Sequence, residues 1–343
     1  MTGTATRSEP RRLRVAAFTG GAAMASARFR VRQYIGPLAH YGITVRERWP
    51  GLGSHPPRSR ALRPIWLAGT LAQRLPQLAA GWCADITLLQ RELVSTLSTI
   101  EGWTQRPRIV DIDDAVHLHR DGRATRRLAT LADLVVVGNG WLAEIWRRWN
   151  PAVEILPTAV DTDLYCAAPL PERPTIGWIG SAANLSYLAG IAPALARVVR
   201  RFPDTTIAVC ADEPPDLPGL PVRYVPWSAG IEADFLESIT VGIMPLANGP
   251  WERGKCSFKM LQYMAAGRPC VVSPVGMNND LLRQGELGLA AITLDQWTEA
   301  LCSLIADSGM AQQMGAAGRA LVVESYSVRA LAPRLAELLH RLA

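Results

Sequence analysis

Apolar and polar positions along the chain follow two alternating patterns. Short, almost wholly apolar runs are typical of strands buried on both faces, and they are separated by longer amphipathic stretches with the period of a helix. This alternation predicts an α/β protein with parallel sheets covered by helices. The predicted strands are 13–19, 43–49, 86–90, 108–112, 134–137 and 153–156 in the first half, and 175–180, 206–210, 222–225, 241–244 and 270–273 in the second.

Helices are predicted between these strands, for example over 25–41 and 141–149, and the tail over 294–343 has an almost continuous helical pattern. Residues 157–174 contain several prolines and predict an interdomain connection. A length of 343 residues suits two domains. We therefore predict a first Rossmann-like domain over 1–168 and a second that begins at 169.

Composition is that of a globular protein, with 49% apolar and 19% charged residues. No long uninterrupted apolar run predicts a membrane span, and the first residues lack the apolar segment of a secretory signal. We therefore expect a cytoplasmic protein. Its six cysteines show no metal-like or C-x-x-C spacing and predict reduced, mostly buried thiols.

Charge is distributed unevenly along the chain. Residues 1–168 carry 22 basic and 14 acidic side chains (+8), whereas residues 169–343 carry 14 and 16 (−2). This asymmetry fits a first domain that faces an anionic partner, such as an acidic lipid surface, nucleic acid or an acidic acceptor. A solvated arginine-rich surface explains it equally well. Nucleic acid is the least favoured of these, since the arginines are not interleaved with aromatic residues.

Ligands of parallel sheets lie beyond the carboxyl ends of the strands, so the loops that follow the strands are the candidate sites. In the second domain the first such loop runs over 177–185. Gly180 permits close approach of a ligand to the backbone, and Ser181 or Asn184 is predicted to cap the next helix, whose first N–H groups favour an anion. A purely structural turn is an equally good interpretation.

The loop over 245–257 is more distinctive, because the only two lysines of the chain, Lys255 and Lys259, lie in and just after it. Ser257 is a plausible N-cap, which places Lys259 in the first helical turn, where a cation opposes the helix dipole. A bound diphosphate would compensate this arrangement by accepting hydrogen bonds from Arg253, Lys255 and Lys259. Gln262, nearly one turn further, is predicted to bond sugar hydroxyls.

Three further loops are candidates. Gly276, Met277 and Asn278 follow a strand and either offer backbone groups to a ligand or form a turn. In the first domain, Asp113, Asp114 and His117 end another strand; their spacing matches no established metal site, so we expect acid–base work or the positioning of hydroxyls.

The loop after the first strand contains Gly20 and Gly21 but not the G-x-G-x-x-G spacing, which disfavours an NAD enzyme. These two glycines predict a flexible turn at the binding cleft. Arg28 or Arg30 is expected to meet an anionic group there.

Several of these stretches resemble bacterial GT-B glycosyltransferases of family 4. They are I-G-W-I-G-S, then G-I-M-P-L followed by P-W-E-R-G-K-C-S-F-K-M-L-Q-Y-M-A-A-G-R-P-C-V-V-S-P-V-G-M-N, and in the first half V-D-I-D-D-A and I-L-P-T-A-V-D-T-D-L-Y. The resemblance covers the chain from about residue 13 to its end. It implies two Rossmann-like domains with parallel sheets facing a central cleft, a donor domain over 169–326, and a helix over 327–343 that crosses back to the first, acceptor-binding domain.

The resemblance also implies a retaining transfer from a nucleotide-diphosphate sugar, with no cofactor and no divalent metal. Lys259 matches the family lysine near the phosphates, and Gln262 occupies the position of a ribose-binding glutamate. This is a departure, since many relatives carry Glu-x7-Glu and this chain has Gly254 and Gln262 instead. Glu252 is the nearest replacement carboxylate, and Arg253 and Lys255 are expected to replace an absent basic pair after the first strand of the domain.

We therefore predict a glycosyltransferase that moves a sugar to an unidentified acceptor hydroxyl. Its first domain, being basic, is expected to contact the anionic inner face of the cell membrane. Two other readings are a nucleotide-sugar epimerase of the same fold, which would need no acceptor, and a non-catalytic nucleotide-sugar-binding partner of another transferase, prompted by the missing glutamates.

Overall fold

The computed structural model describes residues 12–22, 24–53 and 55–343. They divide into two compact units: the first ends at Leu156 and also includes Leu331–Ala343, and the second is Pro157–Ala330. The first boundary therefore lies at Leu156 and not at residue 168. The reason is that Val160 pairs with Ser327 and Tyr165 is bonded to Arg319, so that this segment is held by the second unit.

The first unit is built on one sheet of six parallel strands in the order β2-β1-β3-β4-β5-β6. Their bounds agree closely with the apolar runs of the sequence. β3, β4 and β5 are buried at every position, because helices cover both faces of a parallel sheet. The strands are β1 (Leu13–Phe18), β2 (Ile43–Arg48), β3 (Ile86–Gln90), β4 (Arg108–Ile112), β5 (Leu134–Val137) and β6 (Val153–Ile155).

One helix prediction in this unit is wrong. The predicted helix over 25–41 is broken into α1 (Ala25–Arg30), a 3-10 turn (Arg32–Tyr34) and α2 (Ile35–Ala39). Pro37 has no N–H to donate to the preceding turn and its ring crowds the backbone of that turn, which favours a break before it. The remaining helices are α3 (Arg63–Gly81), α4 (Arg123–Leu131) and α5 (Gly140–Trp146), the last capped by Asn139, which accepts from the Leu142 amide at 2.8 Å.

The second unit also has six parallel strands, in the order β12-β11-β10-β7-β8-β9. β12 was not predicted, because its three residues Gly-Leu-Ala carry almost no strand signal. The strands are β7 (Thr175–Ile179), β8 (Thr206–Ala211), β9 (Val222–Pro226), β10 (Val241–Met244), β11 (Cys270–Val272) and β12 (Gly288–Ala290).

Helices α6 to α14 belong to the second half of the chain, and the last three confirm the helical tail. A core of apolar side chains from the strands and from helices such as α7 and α12 surrounds Trp178 and Trp297. The helices are α6 (Leu185–Gly190), α7 (Ala192–Arg201), α8 (Glu232–Glu237), α9 (Pro250–Arg253), α10 (Phe258–Ala265), α11 (Met277–Leu282), α12 (Leu294–Ala306), α13 (Ser308–Leu321) and α14 (Val328–Leu342).

The strand order locates the expected ligand sites. In the second unit the chain fills the sheet from β7 through β8 to β9 on one side, and then from β10 through β11 to β12 on the other. In the first unit the same reversal falls between β1 and β3. Parallel α/β sheets bind ligands beyond the carboxyl ends of the strands at such switch points. The loops after β7, β10, β1 and β3 are therefore the places where function is expected.

Candidate active site

Tyr263 on α10 holds the carboxyl ends of β7 and β10 together. Its hydroxyl donates to the Ile243 carbonyl oxygen at 3.1 Å and accepts from the Ile179 amide at 3.2 Å. The ring lies so close to β10 that a Cβ on Gly242 would be 2.2 Å from it. The switch point of the second unit is therefore fixed by a buried side chain that bridges its two central strands.

Both lysines end at the loop that follows β7. Lys259 lies in the first turn of α10, as predicted, and its Nζ is 5.2 Å from the ring centroid of Trp178, within the range of a cation–π contact. A Cβ on Gly180 would lie 2.6 Å from the Lys259 Cε. Lys255 reaches the same loop, with Nζ 3.4 Å from Asn184 Oδ1. The fold thus places two ammonium groups at the switch point.

The predicted helix cap in this loop is wrong. Asn184 Nδ2 donates to Ser181 Oγ at 2.9 Å, and neither side chain caps the following helix. A 3-10 turn, Ala182–Asn184, precedes the short helix α6 and turns the two side chains toward each other. Asn184 instead offers its carbonyl oxygen to Lys255, so it positions a cation rather than a helix end.

The loops after β10 and β11 are joined to each other. Ser257 stands at the N-cap position of α10 as predicted, but it adopts a left-handed conformation (φ 51°) and its Oγ donates to Asn278 Oδ1 at 2.7 Å instead of capping. Asn278 Nδ2 in turn donates to the Ser273 carbonyl oxygen at 3.0 Å. Gly276 (φ +54°) leaves no room for a Cβ, which would lie 2.7 Å from the Arg253 carbonyl oxygen.

These contacts assign structural roles to the side chains of the third predicted loop. The Asn278 amide is fully buried and bonded on both its atoms, and the Met277 side chain is buried. Gly276 allows the close approach of the lysine-bearing loop. Ligand contacts from these residues are thus left to their backbone groups, which stays a prediction.

Arg253 and Glu252 lie on α9, between β10 and α10. Arg253 is exposed, and its Nε donates to Asn248 Oδ1 at 3.1 Å. Glu252 is buried, accepts a hydrogen bond from the Tyr187 hydroxyl, and lies so close to Gly249 that a Cβ there would be 2.5 Å from Oε2. The Glu252 carboxylate is therefore enclosed by the protein, which argues against its replacing a sugar-facing carboxylate.

Gln262 is buried in a polar network that sequence spacing gave no sign of. Its Nε2 donates to the Tyr165 hydroxyl at 3.1 Å, which donates to Glu232 Oε2 at 3.3 Å, and Trp227 Nε1 donates to Glu232 Oε1 at 3.0 Å. Tyr165 and Glu232 are also buried. These partners come from distant parts of the chain, so only the folded structure reveals that Gln262 is held in one orientation.

In the first unit, Asp113 and Asp114 share an arginine that the sequence prediction missed. Arg91, the residue after β3, donates to Asp113 Oδ1 from Nε at 2.9 Å and from Nη2 at 2.6 Å, and Nη2 lies 3.6 Å from Asp114 Oδ2. Arg91 has a positive φ of 65°, which turns it from the end of its strand toward the loop after β4. The two carboxylates are therefore oriented by a neighbouring cation.

His117 lies on a 3-10 turn against two indoles, with ring centroids 5.5 Å from Trp141 and 6.2 Å from Trp149. Burial, and to a smaller extent the charges of Arg148 and His119, lowers the pKa of His117. Its Nδ1 is buried and has no hydrogen-bond partner. His117 is therefore a neutral imidazole near pH 7 with an unused ring nitrogen.

Arg30 is paired with a carboxylate inside the protein, so the expectation that it meets an external anion is wrong. It is fully buried and forms a bidentate pair with Asp111, from Nε to Oδ1 at 3.0 Å and from Nη2 to Oδ2 at 2.6 Å, while Nη1 donates to the Leu156 carbonyl oxygen at 2.7 Å. Gly20 and Gly21 do lie at the β1 end of the sheet, and Gly21 has a φ of +157°.

Among the described residues, no three His, Cys, Asp or Glu side chains are grouped so that they could hold a metal ion. In the same part of the chain, no single helix is long and apolar enough to cross a membrane. The pair 182–190 and 192–201, bent by 60°, passes that test only when taken together. Leu188, Leu195 and Val198 of this pair belong to the core of the second unit.

Two α/β units, each with six parallel strands and a loop-lined switch point, are the architecture of the GT-B fold, which the chain shares with solved glycosyltransferases. Residues 173–307 match the family described as glycosyl transferases group 1, so the second unit carries the domain of that family.

Relatives agree with this assignment. A GDP-mannose-dependent alpha-(1-6)-phosphatidylinositol monomannoside mannosyltransferase of Mycolicibacterium smegmatis is 26% identical in a match of 310 residues that covers 81% of this chain and 74% of that protein. A sucrose-phosphate synthase from Thermosynechococcus elongatus superposes with a TM-score of 0.71 at 16% identity, over 96% of this chain and 99% of its own. HepE of Anabaena, in complex with UDP and glucose, superposes with a TM-score of 0.70 at 13% identity, over 96% of this chain and 100% of its own.

Proposed function

We propose that the protein transfers a sugar from a nucleotide-diphosphate donor to an acceptor hydroxyl, with retention of the anomeric configuration and without a metal ion. The observation that carries the proposal is the placement of Lys255 and Lys259, the only lysines of the chain, against the loop after β7. That loop lies at the switch point of the sheet, where parallel α/β folds bind their ligands.

The named relatives support a nucleotide-sugar donor. HepE of Anabaena has been solved with UDP and with UDP-glucose, and the mycolicibacterial relative is described as GDP-mannose-dependent. The two bases differ but the diphosphate is common to both. We therefore assign the lysines to the diphosphate, and the loop backbones at Gly180 and Gly276 to its surroundings.

Departure of a nucleoside diphosphate leaves negative charge on the phosphate oxygens, and fixed cations stabilise that charge as it develops. Lys259 is preorganised by the Trp178 ring and Lys255 by Asn184, so little reorganisation is needed at the moment of reaction. Arg253, which is exposed at the same loop, adds a third cation. Gln262 is buried and its Nε2 is engaged by Tyr165, so its contact with the ribose is assigned to Oε1.

The first unit is proposed to bind the acceptor. Arg91 holds Asp113 and Asp114 in fixed orientations. Their carboxylates are therefore suited to position the hydroxyls of the acceptor. His117 carries an unpartnered ring nitrogen whose pKa burial has lowered, and it is suited to accept a hydrogen bond from the attacking hydroxyl.

Calorimetric titration with UDP and with GDP, in buffer containing EDTA, tests the donor site. One of the two is expected to bind, and Lys259→Gln is expected to weaken binding by about 10- to 150-fold, since hydrogen bonds to charged groups contribute about 1.5–3 kcal/mol. Arg200→Gln is the control, because it removes an exposed cation from the last turn of α7. Its affinity is expected to be unchanged. Equal affinity in the wild-type protein and Lys259→Gln would contradict the assignment.

Turnover is tested by incubating the preferred nucleotide sugar with cell extract and identifying the product by mass spectrometry. NMR of the anomeric proton then shows whether the donor configuration is retained. Consumption of donor to a free or inverted sugar without an acceptor would contradict a transferase and point to epimerisation or hydrolysis.

We further propose that the first unit binds the anionic cytoplasmic face of the membrane. The segment before α3 and the start of that helix expose apolar side chains, with Leu62 53% and Ile65 71% exposed, beside the exposed Arg58, Arg60 and Arg63. Exposed apolar groups flanked by arginines are attracted to anionic lipid surfaces.

Co-sedimentation with vesicles of phosphatidylglycerol and of phosphatidylcholine tests this surface. Binding is expected only to the anionic vesicles and is expected to be lost in Ile65→Asp. Ile292→Asp, which changes an equally exposed isoleucine of the second unit, is the control and should leave binding unchanged. Equal binding to both lipids would contradict the electrostatic part of the proposal.

A further inference from the structure

The first unit contains a pocket at its own switch point. It lies at the carboxyl ends of β1 and β3, takes in Gly20 from the loop after β1, and has a cavity volume of about 90 Å³. The described residues around it include Trp66, Thr70, Gln90, Arg91, Glu92 and Leu93.

Two side chains in the pocket wall are buried with polar atoms that no protein group satisfies. Gln90, the last residue of β3, is 2% exposed and its Oε1 and Nε2 both lack a hydrogen-bond partner. Thr70 on α3 is 1% exposed and its hydroxyl is also unpartnered. Leaving a buried polar group without a hydrogen-bond partner is unfavourable. Such groups at a pocket indicate a ligand that supplies the missing donors and acceptors.

A buried arginine makes this wall rigid. Arg74 lies one helical turn after Thr70 on α3, and its guanidinium donates to the Thr19 carbonyl oxygen at 2.8 Å and to the Leu93 carbonyl oxygen at 3.1 Å. These two carbonyls belong to the loops after β1 and β3. Burial lowers the pKa of Arg74 to about 10, which leaves it charged near neutral pH. Arg74 therefore ties α3, the helix that carries Thr70, to the loops that follow β1 and β3.

The charged groups of the pocket favour an uncharged ligand. Arg91 is the one arginine among the described lining residues, and its guanidinium is engaged by Asp113 at 2.6 Å and lies 3.6 Å from Asp114. Burial raises the pKa of the Glu92 carboxyl, against the opposing effect of the Arg91 charge. A phosphate or carboxylate ligand would therefore have to compete with Asp113 and Asp114 for the Arg91 guanidinium.

Trp66 adds an aromatic side chain to the lining. Its indole Nε1 donates to the Leu52 carbonyl oxygen at 3.3 Å, so the ring is anchored at one edge. An aromatic face beside an amide and a hydroxyl matches a molecule that has both C–H faces and hydroxyl edges. Among small molecules this describes a sugar or cyclitol ring.

We propose that this pocket binds a neutral polyhydroxylated ring of the acceptor, and that Gln90 and Thr70 select it by hydrogen-bonding its hydroxyls. The inference rests on the proposed function, because it gives a chemical class to the acceptor. Gln90 can accept and donate at once, as can Thr70, so adjacent hydroxyls of one ring satisfy both. The groups that specify the acceptor are thus distinct from the aspartates and histidine of the neighbouring loop.

Saturation-transfer NMR on the full chain tests the proposal with three neutral probes, methyl α-D-glucopyranoside, methyl α-D-mannopyranoside and myo-inositol, and with glucose 6-phosphate as the charged comparator. At least one neutral ring is expected to give signals and to bind more tightly than the phosphate. In Gln90→Leu/Thr70→Val its affinity is expected to fall at least about tenfold. Absence of binding by all three neutral rings, or equal affinity in the double variant, would overturn the proposal.

Two controls make the result specific. Thr205→Val removes another buried, unpartnered hydroxyl, one in the second unit, and should leave ring binding unchanged. The Tm of Gln90→Leu/Thr70→Val should be no lower than that of the wild-type protein, because the substitutions delete unsatisfied polar atoms from a buried wall; a marked fall in Tm would show that these atoms serve the fold and would overturn a ligand role.

Titration with the nucleoside diphosphate in the same variants separates this inference from the proposed function. Its affinity should not change in the pocket variants. Failure of the wild-type protein to bind any nucleoside diphosphate would remove the donor assignment and leave the ring-binding result standing.

Discussion

At the scale of single residues, Gly180 decides how closely the lysine helix approaches the loop after β7. A Cβ at this position would lie 2.6 Å from the Lys259 Cε and 2.8 Å from the Trp178 ring. Gly180→Ala is therefore expected to displace the ammonium group and to weaken nucleoside diphosphate binding by about tenfold, in line with overpacking costs of about 1–3 kcal/mol. Calorimetric titration measures the change.

Gly190→Ala is the matched control for this substitution. Gly190 ends α6 in the same unit, and a Cβ there would meet no atom within 4 Å. The change should leave nucleotide affinity unaltered and stability equal or slightly higher. Equal affinities for wild-type protein, Gly180→Ala and Gly190→Ala would show that the contact between Gly180 and Lys259 does not shape the donor site.

His117 is expected to make stability depend on pH. Its pKa in the folded protein is below the ordinary value, so the unfolded chain binds the proton more readily. The contribution of a neutral His117 to stability should therefore be fully present above the ordinary histidine pKa of about 6.5 and should decrease as pH falls below it. His117→Phe keeps a ring against Trp141 and Trp149 and should reduce the loss of Tm between about pH 7.5 and about pH 5. An identical loss in both proteins would contradict this origin.

Sequence reasoning found those site residues whose chemistry is rare or locally patterned. The two lysines stand out by scarcity, and Gly180 and Gly276 follow strands in an α/β pattern. It missed Gln90 and Thr70, because a polar residue looks ordinary until the fold buries it without a partner. For the same reason Arg30 was misplaced, since nothing local indicates that Asp111 faces it.

At the scale of secondary-structure elements, the Arg30–Asp111 pair fastens α1 to β4, and Arg30 also bonds the carbonyl of Leu156 just after β6. Both side chains are buried, so removing one partner leaves an uncompensated charge in the core. Arg30→Met is expected to lower the free energy of unfolding by about 3–5 kcal/mol. Chemical denaturation monitored by circular dichroism measures it.

The double substitution Arg30→Met/Asp111→Leu tests whether the loss comes from the unpaired charge. It removes both charges and should recover part of the stability that Arg30→Met loses, because a buried pair can often be replaced by apolar groups at little cost. If adding Asp111→Leu to Arg30→Met lowered the free energy of unfolding as much as an independent substitution would, the two side chains would not act as a pair.

Strands were predicted better than helices and turns, for a physical reason. A strand buried on both faces is an apolar run that needs no partner to be recognised, as in β4 and β7. Helix ends depend on hydrogen bonds that compete with tertiary contacts. Ser257 and Asn184 illustrate this, since each stands at a cap position but its side chain is hydrogen-bonded to a residue of another loop.

At the scale of the whole molecule, the chain returns to its first unit at the end. Residues 331–343 belong to that unit, whereas residues 327–330, which the sequence also assigned to it, belong to the second unit. Arg334 donates to the Ile155 carbonyl oxygen at 3.1 Å, and Arg341 pairs with Glu154 at 2.6 Å. Leu335 and Leu339 are buried. The first unit is therefore completed by residues that are translated after the whole of the second.

This arrangement predicts that a charge placed in the terminal helix destabilises the first unit selectively. Leu339→Asp puts a carboxylate at a fully buried position and is expected to cost several kcal/mol, whereas Leu342→Asp, at a half-exposed position of the same helix, should have little effect. Hydrogen exchange followed by mass spectrometry should show lost protection in β1 to β6, with β7 to β12 still protected and nucleoside diphosphate affinity largely retained. Equal loss of protection in both sheets would mean that the two units fold as one cooperative body, and that α14 stabilises the donor-binding unit as strongly as the unit that its last residues complete.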